Sequence, residues 1–194
     1  ALDKAKSANM PKENVDRAIK KGTGEGSDTN YFEVTYEGYG PGGVAIMVSA
    51  LTDNKNRTVA EVRSTLTKRG GSMGEAGCVS WMFEKKGVIN VLKGAANEDT
   101  IMELAIEAGA EDVEISDDGY EIVSEPENYY GIKEALERAN IQIEYSEITM
   151  RPKNTVELKG EDAKKAMAIV EMLEDLDDVQ DVYTNFDIDD DELE

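Results

Sequence analysis

The side chains whose types and spacing suit a chemical role in this sequence are cations beside glycines, a combination that can bind phosphate groups. The cations are Lys55, Arg57, Arg63, Lys68 and Arg69, and one acidic residue, Glu61, lies among them. The loop Gly70, Gly71, Ser72, Met73 and Gly74 follows directly. Cations next to exposed backbone N–H groups suit the phosphates of a nucleic acid. The alternative is that the glycines only end a helix and the cations only form its solvated face.

A second group of cations, Arg17, Lys20 and Lys21, lies at the end of a helix predicted from Pro11 to Lys21. Gly22 stops that helix, so these cations stand at the negative end of its dipole. A favourable dipole interaction and a phosphate contact explain them equally well.

Aromatic rings offer a further way to bind nucleic acid, because bases stack on them. The candidates near the first predicted strand are Tyr31, Phe32, Tyr36 and Tyr39. Strand propensity and core packing explain most of these residues without a ligand. The single tryptophan, Trp81, is predicted to be a core anchor.

The sequence gives little support for catalysis. It has no histidine, which removes histidine-based triads, most zinc sites and the commonest general base. The motif GYGPGG at 38–43 joins two predicted strands, whereas a phosphate-binding glycine loop leads from a strand into a helix. Asp187, Asp189 and Asp191 resemble the start of a calcium loop but lack its glycine and closing glutamate. We therefore predict a non-enzymatic protein with no catalytic residue, metal or cofactor.

Cysteine content and hydrophobicity indicate a cytoplasmic protein. Cys78 is the single cysteine, so no internal disulfide can form, which is typical of a reducing compartment. The longest unbroken apolar run, Val44 to Val48, is far shorter than the ~20 residues of a membrane span. No basic-then-apolar leader opens the sequence, so secretion is not indicated.

The charge of the chain, −21 in total, is unevenly divided. Residues 1–86 hold 13 Lys/Arg and 11 Asp/Glu, whereas residues 87–194 hold 8 and 31. An acidic protein does not adsorb to nucleic acid indiscriminately, but its near-neutral first part can contact phosphate locally. The simpler explanation for most of the acidic residues is that they keep the protein soluble.

The first half alternates between helix, strand and glycine turn. Residues 1–8 read as helix without a cap, so we expect the natural chain to start further upstream, and 22–30 read as a flexible linker. Strands are predicted at 31–37, 44–51 and 78–83, the second being apolar on both faces and therefore central. The pair Thr58 and Glu61 predicts a capping box that opens a helix ending at Lys68 and Arg69.

The second half predicts a complete β-α-β-β-α-β unit at 87–152, the split βαβ or ferredoxin-like arrangement. The later strand, helix and strand of 154–186 are too few to fold alone. Together with 42–83 they complete a second such unit. We therefore predict an α+β fold with these divisions: a helical N-terminal remnant and linker at 1–30, a discontinuous domain at 31–86 and 154–186, an inserted domain at 87–153, and an acidic tail at 187–194.

Three parts of the sequence resemble the YebC family. They are NMPKENVDRAIKKGTG (9–24), the long and specific block YEGYGPGGVAIMVSALTDNKNRTVAEVRSTLTKRGGSMGEAGCVSWMF (36–83), and the acidic C-terminal half, which matches mainly in its order of elements. Organellar members of this family are translational activators of cytochrome oxidase subunit I. The resemblance implies an N-terminal helical domain followed by two α+β domains. Members usually carry a longer, Lys-rich helical segment upstream.

The resemblance also implies a non-enzymatic regulator of gene expression. Some members are described as DNA-binding transcriptional regulators, and others resemble ribosome-associated translation factors that help synthesis through proline-rich stretches. The matching residues here are the Lys/Arg of 9–24 and the helix and glycine loop of 55–74. The expected partner is nucleic acid, either ribosomal or transfer RNA or DNA, with the ribosome as a further candidate and no membrane or small-molecule substrate. The charge of the chain favours RNA over duplex DNA.

Overall fold

The structure is a computed structural model that describes residues 2, 5, 9–22 and 30–188, without the side chain of Lys21. The predicted linker and most of the predicted 1–8 helix and acidic tail lie outside these residues. The helices are α1 (Lys12–Gly22), α2 (Lys55–Lys68), α3 (Glu98–Glu107), α4 (Tyr129–Arg138) and α5 (Gly160–Glu174). The strands are β1 (Phe32–Tyr39), β2 (Ala45–Thr52), β3 (Ser72–Met73), β4 (Phe83–Leu92), β5 (Asp112–Ile115), β6 (Gly119–Ser124), β7 (Ile143–Pro152), β8 (Val156–Leu158), β9 (Val179–Thr184) and β10 (Phe186–Ile188).

The first sheet has the strand order β3-β1-β2-β9 and is built around β2, which is apolar on both faces. Strands β1 and β2 form an antiparallel hairpin in which Phe32 pairs with Thr52 and Tyr39 pairs with Ala45. Ile46 and Val48 face the main core, whereas Ala45 and Met47 face a separate apolar cluster on the other side. The prediction that 44–51 is a central, covered strand is therefore confirmed.

Helices α2 and α5 cover one face of this sheet, because each has an apolar stripe at helical spacing. The stripe of α2 includes Val62 and Leu66, and the stripe of α5 includes Ile169 and Leu173. All four side chains are fully buried in the same cluster as Ile46 and Val48. Burial of this apolar surface fixes the inner face of α2 and leaves its other face to solvent.

The second sheet has the strand order β5-β6-β4-β7 and is entirely antiparallel. Helices α3 and α4 contribute Ile101 and Leu136 to a core that also contains Ile89 and Ile122 from the sheet. Asn97 caps α3 by accepting from the N–H of Asp99. The order β4-α3-β5-β6-α4-β7 matches the split βαβ arrangement, and the α+β fold class is confirmed.

A third apolar cluster lies between the two sheets. Ala45 and Met47 of the first sheet meet Phe83 at the start of β4, and Met150 of β7 packs against them. Strand β4 runs without interruption through residue 86. We propose that the chain divides as the sequence predicts, into 31–86 with 154–186 and an inserted 87–153, because each part has its own core.

Three details differ from the sequence predictions. Residues 78–82 are not a strand: Ser80–Met82 is a 3-10 turn, and β4 begins at Phe83. Helix α2 begins at Lys55, because Asn54 rather than Thr58 caps it by accepting from the N–H of Arg57. Asp187 and Ile188 belong to β10, which pairs in parallel with β8 outside the main sheets.

No helix among the described residues is long and apolar enough to span a bilayer.

Candidate nucleic-acid interface

The outer face of α2 presents cations to solvent at its C-terminal half. Arg63, Lys68 and Arg69 are all exposed, whereas Val62 and Leu66 on the other side of the helix are buried. Lys68 lies in the last helical turn and Arg69 is the C-cap, so both cations also face the negative end of the helix dipole. We call Arg63, Lys68, Arg69 and the following exposed Ser72 the cationic edge.

The two cations at the start of α2 have other partners. Arg57 Nη2 donates to Asp53 at 2.9 Å and to Asp178 Oδ2 at 2.8 Å, and these carboxylates raise the pKa of the Arg57 guanidinium. Lys55 Nζ lies 4.5 Å above the centre of the Phe32 ring, a cation–π contact. The 14 residues of α2 span about 20 Å. The predicted cations therefore lie at two separate ends of one helix. Arg57 stabilises the fold through its ion pairs.

The glycine loop after α2 both caps the helix and stays accessible. Gly70 adopts a φ of 86°, which other residues rarely adopt, and its N–H donates to Thr67 O. The N–H of Gly71 donates to Leu66 O at 2.9 Å, and the N–H of Gly74 donates to Glu37 O at 2.8 Å. These backbone donors are already used within the protein. Side chains of the cationic edge are therefore what this loop offers to a phosphate.

A close approach at Gly38 holds the loop against the first sheet. β3 pairs with the end of β1, and a Cβ on Gly38 would lie 2.4 Å from the carbonyl oxygen of Ser72. We expect Gly38→Ala to push β3 away from β1 and to destabilise the fold by roughly 2 kcal/mol. Thermal unfolding measures this change. Gly131→Ala is the control, because its Cβ would meet only Ala108 O at 4.0 Å, and a loss as large in the control would contradict the prediction.

The carboxylate of Glu37 anchors the segment that follows the loop. Its two oxygens accept from the backbone N–H groups of Gly77 at 2.7 Å and of Val79 and Ser80 at 2.8 Å each. Burial alone would raise the pKa of this side chain, which is 7% exposed, but the three donors outweigh burial and lower it. These donors are unavailable to a strand ladder, which is why the predicted strand at 78–83 does not form.

This anchored segment holds Trp81 outward, so the prediction of a core anchor is wrong. The indole is 63% exposed, and its Nε1 donates to Cys78 O at 3.0 Å. The hydroxyl of Tyr39 donates to the same carbonyl at 3.0 Å. The sequence signal that could have indicated this turn is Glu37. It is a carboxylate between Tyr36 and Gly38, at the buried end of β1.

The described contacts do not place the other predicted nucleic-acid-binding residues next to the cationic edge. Arg17 and Lys20 are exposed on α1, and the side chain of Lys21 lies outside the described residues. The aromatic candidates separate, since Tyr36 is buried while Tyr31 and Phe32 are exposed at the far end of β1. A phosphate contact by the cations of 17–21 therefore stays a prediction, separate from the cationic edge.

Two cations, Lys86 and Arg151, hold carboxylates of the inserted unit. Lys86 Nζ lies 2.7 Å from Glu111 and 2.6 Å from Glu125, and these hydrogen bonds raise its pKa. Arg151 bridges Glu114 and Glu121. Among the residues that the structure describes, no group of cysteine, aspartate and glutamate side chains could hold a metal ion. This half of the molecule presents an acidic surface, in contrast to the cationic edge.

Comparison with known proteins agrees with this architecture. A family model described as the TACO1/YebC second and third domain matches residues 31–186. A probable transcriptional regulatory protein from Desulfatibacillum aliphaticivorans is 53% identical over 193 residues, which cover the whole chain and 78% of that protein. One of the same description from Geobacter sulfurreducens is 54% identical over 194 residues, again covering the whole chain and 78% of the relative.

A solved structure is similar as well. The crystal structure of a conserved hypothetical protein from Aquifex aeolicus superposes with a TM-score of 0.83 at 49% identity, covering 97% of this chain and 78% of that one. Fold and matched residues define the class, an α+β protein with the second and third domains of the TACO1/YebC proteins. The chain belongs to the TACO1/YebC family.

Proposed function

We propose that this chain is a non-enzymatic regulator of gene expression that acts by binding nucleic acid in the cytoplasm. The regulatory part is supported by the relatives, which are named probable transcriptional regulatory proteins. The binding part rests on one observation, the exposed cationic edge on a chain with a net charge of −21. A molecule this acidic repels polyanions except where cations are concentrated, which supports the edge as the place of contact.

Within this class we favour a ribosome- or RNA-associated translation factor, of the kind that eases synthesis of proline-rich stretches. The cationic edge is small, with Lys68 and Arg69 adjacent and Arg63 about one and a half helical turns away. Such an edge suits a local contact on folded RNA, where the acidic remainder of the molecule points elsewhere. The resemblance to ribosome-associated family members supports the same choice.

A DNA-binding transcriptional regulator is the second candidate, favoured by the names of the relatives. Duplex DNA carries a dense line of phosphates, and specific binders commonly neutralise about six to ten of them. The cationic edge provides three Lys/Arg side chains, which is fewer than this mode uses. Sedimentation of the chain through a sucrose gradient with ribosomes distinguishes the candidates. Protein that stays at the top at all salt concentrations, yet prefers a promoter fragment tenfold or more over random DNA, would reverse our choice.

Reversal of two charges tests the cationic edge directly. We expect Lys68→Glu with Arg69→Glu to weaken association with ribosomes or RNA at least about tenfold and to lower the salt dependence, because two phosphate contacts become repulsive. Both side chains are exposed, so the melting temperature should change little. Binding is measured by sedimentation and by fluorescence anisotropy of labelled RNA across a salt series.

The matched control is Lys164→Glu with Arg138→Glu, which changes the net charge by the same amount on α5 and α4. Both control side chains are exposed and lie outside the cationic edge. If the control weakens binding as much as the edge variant does, total charge rather than the edge controls association. Unchanged binding by the edge variant, with an unchanged melting curve, would remove the edge from the proposal.

A further inference from the structure

Trp81 is an exposed aromatic ring whose orientation the protein fixes from several sides. The indole Nε1 donates to Cys78 O, and the backbone of Val79 and Ser80 just before it is held by Glu37. Immediately after Trp81, the carbonyl of Met82 accepts from the N–H of Lys153 at 2.8 Å. A large apolar side chain that is held in water and cannot turn inward contributes no burial energy to the stability of the fold. It is pre-organised for a flat, apolar ligand surface.

The turn that carries the ring is held by the same end of β1 as the glycine loop, and it packs on the sheet face opposite to α2. Moving back along β1, Tyr39 pairs with Ser72, Gly38 pairs with Met73, and the carbonyl of Glu37 accepts from Gly74. The carboxylate of the same Glu37 then holds the turn that carries Trp81. One strand end therefore fixes both the loop that follows Lys68 and Arg69 and the turn that presents the indole.

The charge around this segment favours a nucleic acid over a protein partner. Apart from Lys86, which is paired with Glu111 and Glu125, residues 68–85 hold three Lys/Arg and two Asp/Glu, in a chain where acidic residues outnumber basic ones two to one. Protein hot spots are surrounded by contacts that exclude water, whereas the chain that leads into the turn has exposed residues, among them Ser72, Glu75 and Gly77. Proteins bind single-stranded nucleic acid differently: an aromatic ring stacks on a base, and cations contact the phosphate backbone.

We propose that Trp81 stacks on an unpaired base of the nucleic acid whose phosphates contact the cationic edge. This inference rests on the proposed function and adds the chemistry of recognition: a single-stranded segment, bound through the π-face of one base. Glu37 is a positioning residue, because its carboxylate sets the turn but does not face the ligand.

The single tryptophan gives a direct test, because the intrinsic tryptophan fluorescence of the chain comes from Trp81 alone. The chain is titrated with a labelled twelve-nucleotide single-stranded RNA, with single-stranded DNA of the same sequence, and with the corresponding duplex DNA. Anisotropy of the label reports binding, and quenching of the indole reports stacking. We expect both single strands to quench the emission and the duplex to leave it unchanged, with the RNA bound more tightly than the DNA.

Substitutions separate stacking from folding. We expect Trp81→Ala to weaken binding of the single-stranded RNA about tenfold and Trp81→Phe to restore most of the affinity, since stacking needs a ring rather than an indole. Tyr130→Ala is the control, because Tyr130 is also 63% exposed but lies on α4 of the inserted unit. Its affinity for RNA should equal that of the unaltered chain.

RNA that binds without quenching, together with an unaltered affinity of Trp81→Ala, would overturn the inference and leave the proposed function in place. Failure of every oligonucleotide to bind would overturn the inference also. In that case co-sedimentation with ribosomes decides separately whether the proposed function stands. Ribosome association that is insensitive to Trp81→Ala counts against stacking in the same way.

Discussion

Replacing Glu37 by glutamine is expected to lower the free energy of unfolding by about 3 kcal/mol, because the change leaves at least one backbone donor without an acceptor and removes the charge from the remaining hydrogen bonds. The native carboxylate accepts three N–H groups through two oxygens, with Gly77 on one and Val79 and Ser80 on the other. A glutamine has one acceptor oxygen, so its amide N–H₂ must face at least one of these donors. For a chain of this length the loss corresponds to a melting temperature lower by about 10 °C.

The pH dependence of stability gives the same prediction a second readout. Because the folded pKa of Glu37 is lowered below its ordinary 4.5, the unfolded state binds more protons as the solution becomes acidic. Its contribution is therefore complete above pH 4.5 and is lost as the pH falls through the folded pKa. We expect Glu37→Gln to be less sensitive to acid than the unaltered chain, when denaturant unfolding is compared between about pH 7 and about pH 3.

Glu33→Gln on the same strand is the control for this experiment, since Glu33 is exposed. It should change neither the melting temperature nor the acid dependence. An equal stability of Glu37→Gln and Glu33→Gln would mean that the turn before Trp81 is held by other contacts. If the turn does depend on Glu37, Glu37→Gln should also weaken RNA binding, because Trp81 is then no longer held in one orientation.

Asp178→Ala is expected to be about as destabilising, by roughly 3 kcal/mol, because the Asp178 carboxylate joins β2 and α2 to the turn before β9. Its Oδ2 accepts from Thr58 Oγ1 at 2.7 Å, from Thr52 Oγ1 at 3.1 Å and from Arg57 Nη2 at 2.8 Å. Thr52 and Thr58 are buried, so loss of the acceptor leaves hydroxyl groups without this partner in the core. Thermal and denaturant unfolding measure the change.

The neighbouring Asp177→Ala serves as the control, because Asp177 is exposed. Arg57→Ala should cost less than Asp178→Ala, since the guanidinium is half-exposed and water replaces its partners. Burial alone would raise the pKa of Asp178, but hydrogen bonds from Arg57, Thr58 and Thr52 lower it below the ordinary 3.8. Its stabilisation is therefore present above pH 3.8 and is lost at lower pH, as for Glu37. A larger loss in Arg57→Ala than in Asp178→Ala would contradict this account of the network.

The cationic edge was partly predictable from the sequence. Lys68 and Arg69 before paired glycines indicate the end of a helix, and the end of a helix in a two-layer fold is exposed. The same reasoning fails for Arg57, whose partner Asp178 lies 121 residues further along the chain. Spacing along a helix predicts which face a cation occupies, but it does not predict which distant carboxylate meets it.

The sequence by itself determined the elements whose signals are local. These signals are the run of β2 that is apolar on both faces, the cap at Asn97, the glycine after α2 and the alternating helices and strands of the inserted unit. Each of them acts within a few residues, so it can be read without the fold. Only the tertiary structure decided the turn at 77–82 and the outward position of Trp81. That turn depends on Glu37, about 40 residues earlier, whose buried charge takes the nearest available donors in place of a strand ladder. A buried carboxylate must be satisfied wherever the topology places it, and this requirement overrides the strand propensity of the local sequence.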